Sequence, residues 1–113
     1  IMNILDIVKI VIAILTIVTG LYSLLKPKVI KGFTGLVADG PRGITEIRSI
    51  MGGVFIALGA LPFFESSAYL ALGVTYLVIG AVRLVSMLVD KSVERSNLIS
   101  LAVEVVFGII LVL

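Results

Sequence analysis

The chain has no cysteine, no histidine and no tryptophan among its 113 residues, and only 14% of them are charged. Without cysteine there is neither a disulfide nor a thiolate ligand. Without histidine there is no imidazole metal site, no histidine-ligated haem and no general base of the commonest kind. No metal or other cofactor is therefore expected, and the redox compartment leaves no trace. The net charge is only +2, and the basic residues sit beside apolar segments instead of in a solvated tract, so a nucleic-acid partner is not expected either.

What the chain has in abundance is apolar side chains. They make up 60% of the sequence before its 11 glycines are counted, against roughly 45–50% with glycine included in ordinary soluble domains. A water-soluble fold of this size would leave long uncharged runs facing water, whereas lipid accepts them. The lipid bilayer is thus the first expected partner.

Four apolar stretches, at about 4–25, 46–64, 68–89 and 97–113, each approach the roughly 20 residues that a helix needs to cross a hydrocarbon core. They predict an all-α integral membrane protein, a single domain over 1–113 built as a bundle of four transmembrane helices. The first stretch lacks a basic leader and a small-x-small cleavage pattern, and reads as a retained helix. Thr45, Ser66 or Ser67, and Ser96 or Asn97 are candidate caps for the later helices, with Glu46 in a first turn beside the positive end of a helix dipole. The connections at 64–67 and 90–96 are short, which predicts up-down antiparallel neighbours. One longer loop, 26–45, holds Pro27 and Pro41, and its Val29, Ile30, Phe33, Leu36 and Val37 could lie on the membrane surface.

Lys26, Lys28, Lys31, Arg42, Arg48, Lys91 and Arg95 fall on one side of this topology, and Lys9, with Asp6 and Glu65, on the other. The positive-inside rule then places the long loop in the cytoplasm and both termini outside. Lys26, Lys28 and Lys31 orient the chain and are also candidate contacts for anionic lipid head groups, at roughly 1 kcal/mol per charge.

Charges within apolar helices call for partners, because each costs at least about 2.5 kcal/mol in the bilayer centre. Arg83 lies seven residues from Asp90, and Glu104 seven from Asn97, which puts both about 10 Å inside the same boundary at 1.5 Å per residue. A salt bridge between them is expected. The stripe Gly73, Tyr76, Gly80, Arg83, Met87 and Asp90 on the third helix, and Asn97, Leu101, Glu104, Gly108 and Leu111 on the fourth, should face the bundle. The same spacing on the second helix selects Glu46, Ser49, Gly53, Ala57, Ala60 and Phe64. Gly53 would leave room for Arg83 to reach Glu46 and so to bridge two carboxylates. Gly52, Gly53, Gly73 and Gly80 read as helix-packing residues, since no strand precedes them and no phosphate-loop lysine follows. Thr16, Thr19 and Ser23 should bond back to their own helix.

The segment Glu46-Ile47-Arg48-Ser49-Ile50-Met51-Gly52-Gly53, followed by Gly80-Ala81-Val82-Arg83-Leu84-Val85-Ser86, Asp90 and the late Glu104, resembles the domain of unknown function 4345 family. That resemblance covers nearly the whole chain and implies a small bacterial four-helix protein of the cytoplasmic membrane. It marks Glu46, Arg48, Arg83, Asp90 and Glu104 without giving them roles. Met51 stands where an aromatic residue would be expected and Lys91 where a glycine would.

Two functions compete. One is a non-enzymatic accessory or structural subunit that packs against other membrane-protein subunits, or a homo-oligomer, with the charges fixing helix register. The other is a small proton-coupled transporter or anionic-solute-binding protein, in which Glu104 exchanges a proton or Arg83 holds the solute. Glu46 and Glu104 alone make no case for an enzyme.

Overall fold

The computed structural model describes residues 2–30 and 34–113. It is all-helical, with four helices long and apolar enough to cross a membrane and no strand among the described residues. The spans are Ile4–Leu25, Gly40–Phe63, Ala68–Val89 and Arg95–Val112. This is the make-up of a four-helix membrane bundle. The chain falls into two compact units, residues 10–66 and residues 67–113 with 1–9. Helix association in lipid rests on local close packing with no hydrophobic drive to gather all helices, which favours pairs of consecutive helices.

Helix α1 (Ile4–Leu25) opens on a reciprocal cap that sequence reading did not find. The Asp6 backbone N–H donates to Asn3 Oδ1 at 2.9 Å, and the Asn3 N–H to Asp6 Oδ2 at 3.4 Å. Its hydroxyls return to their own helix as expected: Thr16 donates to Ile12 O, Thr19 to Leu15 O and Ser23 to Thr19 O, at 2.8 to 3.0 Å. The bond saturates each hydroxyl in an apolar medium, which is why a membrane helix tolerates them.

The second span begins at Gly40, six residues before the expected start. It comprises α2 (Gly40–Glu46), a π-helical segment Ile47–Val54, α3 (Phe55–Ala60) and a 3-10 turn Leu61–Phe63. Asp39 occupies the N-cap position and Pro41 the first turn, where a missing N–H costs nothing. Thr45 is therefore not a cap; its hydroxyl donates to Pro41 O at 3.1 Å. At the other end Pro62 cannot continue the ladder, and the Phe64 and Glu65 N–H groups both fold back to Leu61 O.

The π segment overturns the expected inner face. Glu46, Ser49, Gly53, Ala57 and Phe64 are exposed, and the buried residues are Ile47, Gly52, Gly59 and Pro62. A hydrogen bond from i to i+5 adds residues to each turn, so Ile47 and Gly52, five apart, share a face that a 3.6-residue period assigns to different sides. Within residues 10–66 this corrected face meets α1 antiparallel. A Cβ on Gly20 would lie 2.8 Å from Gly52 O, and one on Gly59 would lie 2.7 Å from Ala13 O. Backbone touches backbone at both levels, and no side chain fits between.

The connection between these spans is shorter than expected, since residues 40–45 are helical. Ile30 in it is fully buried and so does not lie on a membrane surface, although Val29, Leu36 and Val37 are exposed. The Thr34 N–H and hydroxyl both donate to Ile30 O, at 2.9 and 2.7 Å. Phe33 lies outside the described residues.

Helices α4 (Ala68–Val89) and α5 (Arg95–Val112) form the second pair, again antiparallel. Gly73 and Gly108 bring them into contact at one end: a Cβ on Gly73 would lie 2.8 Å from Leu111 Cβ, and one on Gly108 2.6 Å from Leu77 Cδ2. Tyr76 stacks edge-on against Phe107, with centroids 5.6 Å apart. Helix α5 starts at Arg95, with Glu94 at its N-cap and no side-chain capping bond, so neither Ser96 nor Asn97 caps it. Ser67 precedes α4, also without a side-chain cap.

Candidate functional site

The buried stripe of α4 contains Leu72, Gly73, Gly80 and Met87, and that of α5 contains Glu104, Gly108 and Leu111. Both follow the three-four spacing of a straight α-helix, and both bring a charge to the seam. Glu104 is 8% exposed. Arg83 Nε donates to Glu104 Oε1 and Nη2 to Oε2, each at 2.8 Å, a bidentate pair. Arg83 Nη1 donates to Asn97 Oδ1 at 3.0 Å, and Asn97 Nδ2 in turn donates to Ser92 O at 2.9 Å. The second partner of the guanidinium is thus the Asn97 amide, where a second carboxylate had been expected.

Asn97 lies on the α5 stripe one heptad from Glu104, as its spacing predicts; the role the sequence did not assign to it is that of partner to Arg83, and the cap it was also a candidate for does not form. The position of Asn97 lets it hold the guanidinium and tie the 90–94 turn to the helix in one step. The turn itself is a Schellman end: the Ser92 N–H bonds Met87 O at 3.0 Å, with Lys91 at φ +55°. Lys91 is the only non-glycine residue with positive φ among the described residues. The sequence pattern that puts glycine there thus reflects a left-handed backbone.

The remaining marked residues lie elsewhere. Glu46 meets Arg42 at 3.9 Å on an exposed helix face, a pair of little energetic weight. Arg48 Nε donates to Leu24 O at 3.1 Å, in the last turn of α1, where unpaired carbonyls carry the negative end of the dipole. Asp90 is exposed at the end of α4. Among the glycines, Gly52 and Gly73 sit in tight helix contacts, Gly80 lies at an ordinary 3.6 Å from Glu104 Cβ, and Gly53 meets nothing within 4 Å. Gly20, Gly59 and Gly108 sit in close helix contacts as well. Lys26 and Lys28 are exposed just beyond α1, and Lys31 lies outside the described residues.

Beside the ion pair a cavity of about 470 Å³ opens along α4, lined by Val78, Ile79 and Val82 at its apolar end and by Arg83, Asp90 and Asn97 towards the turn. No cluster of three or more acidic, histidine or cysteine side chains able to hold a metal occurs among the described residues.

The family model for a domain of unknown function (DUF4345) matches residues 4–113. The chain belongs to the DUF4345 family. The match takes in both helix pairs, so the Arg83–Glu104 pair and the Gly20–Gly52 contact are parts of one DUF4345 domain. No curated protein and no solved structure matches the chain.

Proposed function

We propose that this DUF4345 protein is a non-enzymatic accessory component that docks by its second span against the transmembrane helices of a larger membrane complex. The observation that carries this reading is the exposed stripe Ser49, Gly53 and Ala57, small residues at four-residue spacing, with nothing within 4 Å of a Cβ on Gly53. Small residues at that spacing let a neighbouring backbone approach closely, the main source of helix affinity in lipid. The Arg83–Glu104 pair supports the same reading. Both carboxylate oxygens are occupied, and the arginine is neutralised in place, the arrangement of a register-fixing pair and a poor one for a proton carrier. The basic residues orient the protein with the 26–39 connection and the 90–94 turn in the cytoplasm and both termini outside.

The test is gentle extraction from the native membrane, followed by native mass measurement and mass spectrometry of what accompanies the chain. Larger subunits in fixed stoichiometry, lost on Gly53→Leu while the isolated chain melts as before, are expected. A lone chain or a homo-oligomer unaffected by Gly53→Leu would overturn the proposal.

A further inference from the structure

The cavity beside Arg83 has a graded wall. Val78, Ile79 and Val82 form its apolar part, and Arg83, Ser86, Asp90 and Asn97 its polar part, towards the 90–94 turn. At 1.5 Å per residue the gradient runs over about 18 Å of α4, apolar where the helix lies deep in the hydrocarbon and polar where it leaves it. A free soluble metabolite has no use for the apolar half, whereas a phospholipid has the same gradient in its own length.

The charges select a head group. Arg83 has five N–H groups, of which one on Nε, one on Nη1 and one on Nη2 are used by Glu104 and Asn97. Each Nη keeps one N–H for a phosphate oxygen. Glu104 cancels the arginine's charge, so the one uncompensated charge among the lining residues is that of Asp90, an exposed carboxylate with no hydrogen bond or ion pair to its side chain among the described residues. An anionic lipid would meet this negative charge. A zwitterion would place its phosphate on the guanidinium and its amine on the carboxylate. Asn97 holds the guanidinium towards the turn, shortening the gap to Asp90, and a primary ammonium can donate to that carboxylate where a quaternary one cannot.

We propose that the Arg83–Asp90 cavity binds one phospholipid with a phosphoethanolamine head group, its phosphate on Arg83, its ammonium on Asp90 and an acyl chain along Val78 and Val82. The experiment is native mass spectrometry of the full chain in mixed micelles with phosphatidylethanolamine, phosphatidylcholine or phosphatidylglycerol of identical acyl chains. One ethanolamine lipid per chain is expected, held about tenfold more tightly than either competitor, the weight of one charge-assisted hydrogen bond. Asp90→Asn, at an exposed position, should remove that preference and leave the thermal melt unchanged. Equal retention of the three lipids by the unaltered chain overturns the proposal, as does a preference for phosphatidylglycerol or one that survives Asp90→Asn. Free phosphoethanolamine should fail to displace the lipid at equal concentration; if it does displace it, the site takes a soluble zwitterion and the lipid assignment falls.

Discussion

The two helix pairs solve the same problem by different means. In residues 10–66 the helices are held by backbone contact at two levels, Gly20 with Gly52 and Gly59 with Ala13, and a single polar bond from Arg48 closes the open end. In α4 and α5 glycine contact exists at one level only, through Gly73 and Gly108, and the other end is held by the Arg83–Glu104–Asn97 cluster. Close glycine contact needs a small-residue face on each helix but no atom-to-atom pairing. A bidentate ion pair demands one depth and one rotation. The difference matches the helices: the π segment unsettles the phase of the second span, whereas α4 and α5 keep theirs and can support a pair with strict geometry.

The contrast is tested most severely by removing one charge. Glu104→Met leaves Arg83 unpaired among apolar helices and should destabilise the chain by about 3 kcal/mol in detergent unfolding. Arg83→Met should cost a similar amount, and the double change should recover most of the loss. Additive losses would show that the two side chains act separately.

Glycine should carry the corresponding weight in the first pair. Gly59→Leu forces a side chain against Ala13 O and should cost about 2 kcal/mol, while Gly53→Leu, with open space around it, should stay within about 0.5 kcal/mol in the isolated chain. A larger loss from Gly53→Leu than from Gly59→Leu would mean that the 3.6-residue face, with Gly53 inside, is the true one. Arg48→Met removes one charge-assisted bond to the end of α1 and should cost about 1 kcal/mol. The smallest effect has the opposite sign. Lys91→Gly relieves a left-handed lysine and should raise stability by about 0.5 kcal/mol, read as an increase in melting temperature.

Much of the second pair was legible because its physics is local and periodic. Equal depth of Arg83 and Glu104 follows from counting residues to a charged boundary, and the need for a partner follows from the cost of charge in lipid. The first pair was less legible. Counting at 3.6 residues per turn put Glu46, Ser49 and Gly53 inside, and no residue near Ile47 announces that the ladder changes to i+5. The start at Gly40 was missed for a related reason: glycine and proline at 40, 41 and 43 read as loop, although proline in a first turn is a helix signal.

By itself, then, the sequence determined the solvent, the number of spans and the pairing of two intramembrane charges. Each follows from the transfer cost of a side chain and from length along a helix axis, and neither quantity depends on neighbours. Only the tertiary structure decided which face of the second span is buried, that Asn97 joins Glu104 on the arginine, and that a cavity opens between Val78 and Asp90. Those depend on helix rotation, which is settled by what each backbone can approach, and a few degrees per residue are enough to turn an expected inner face to the outside.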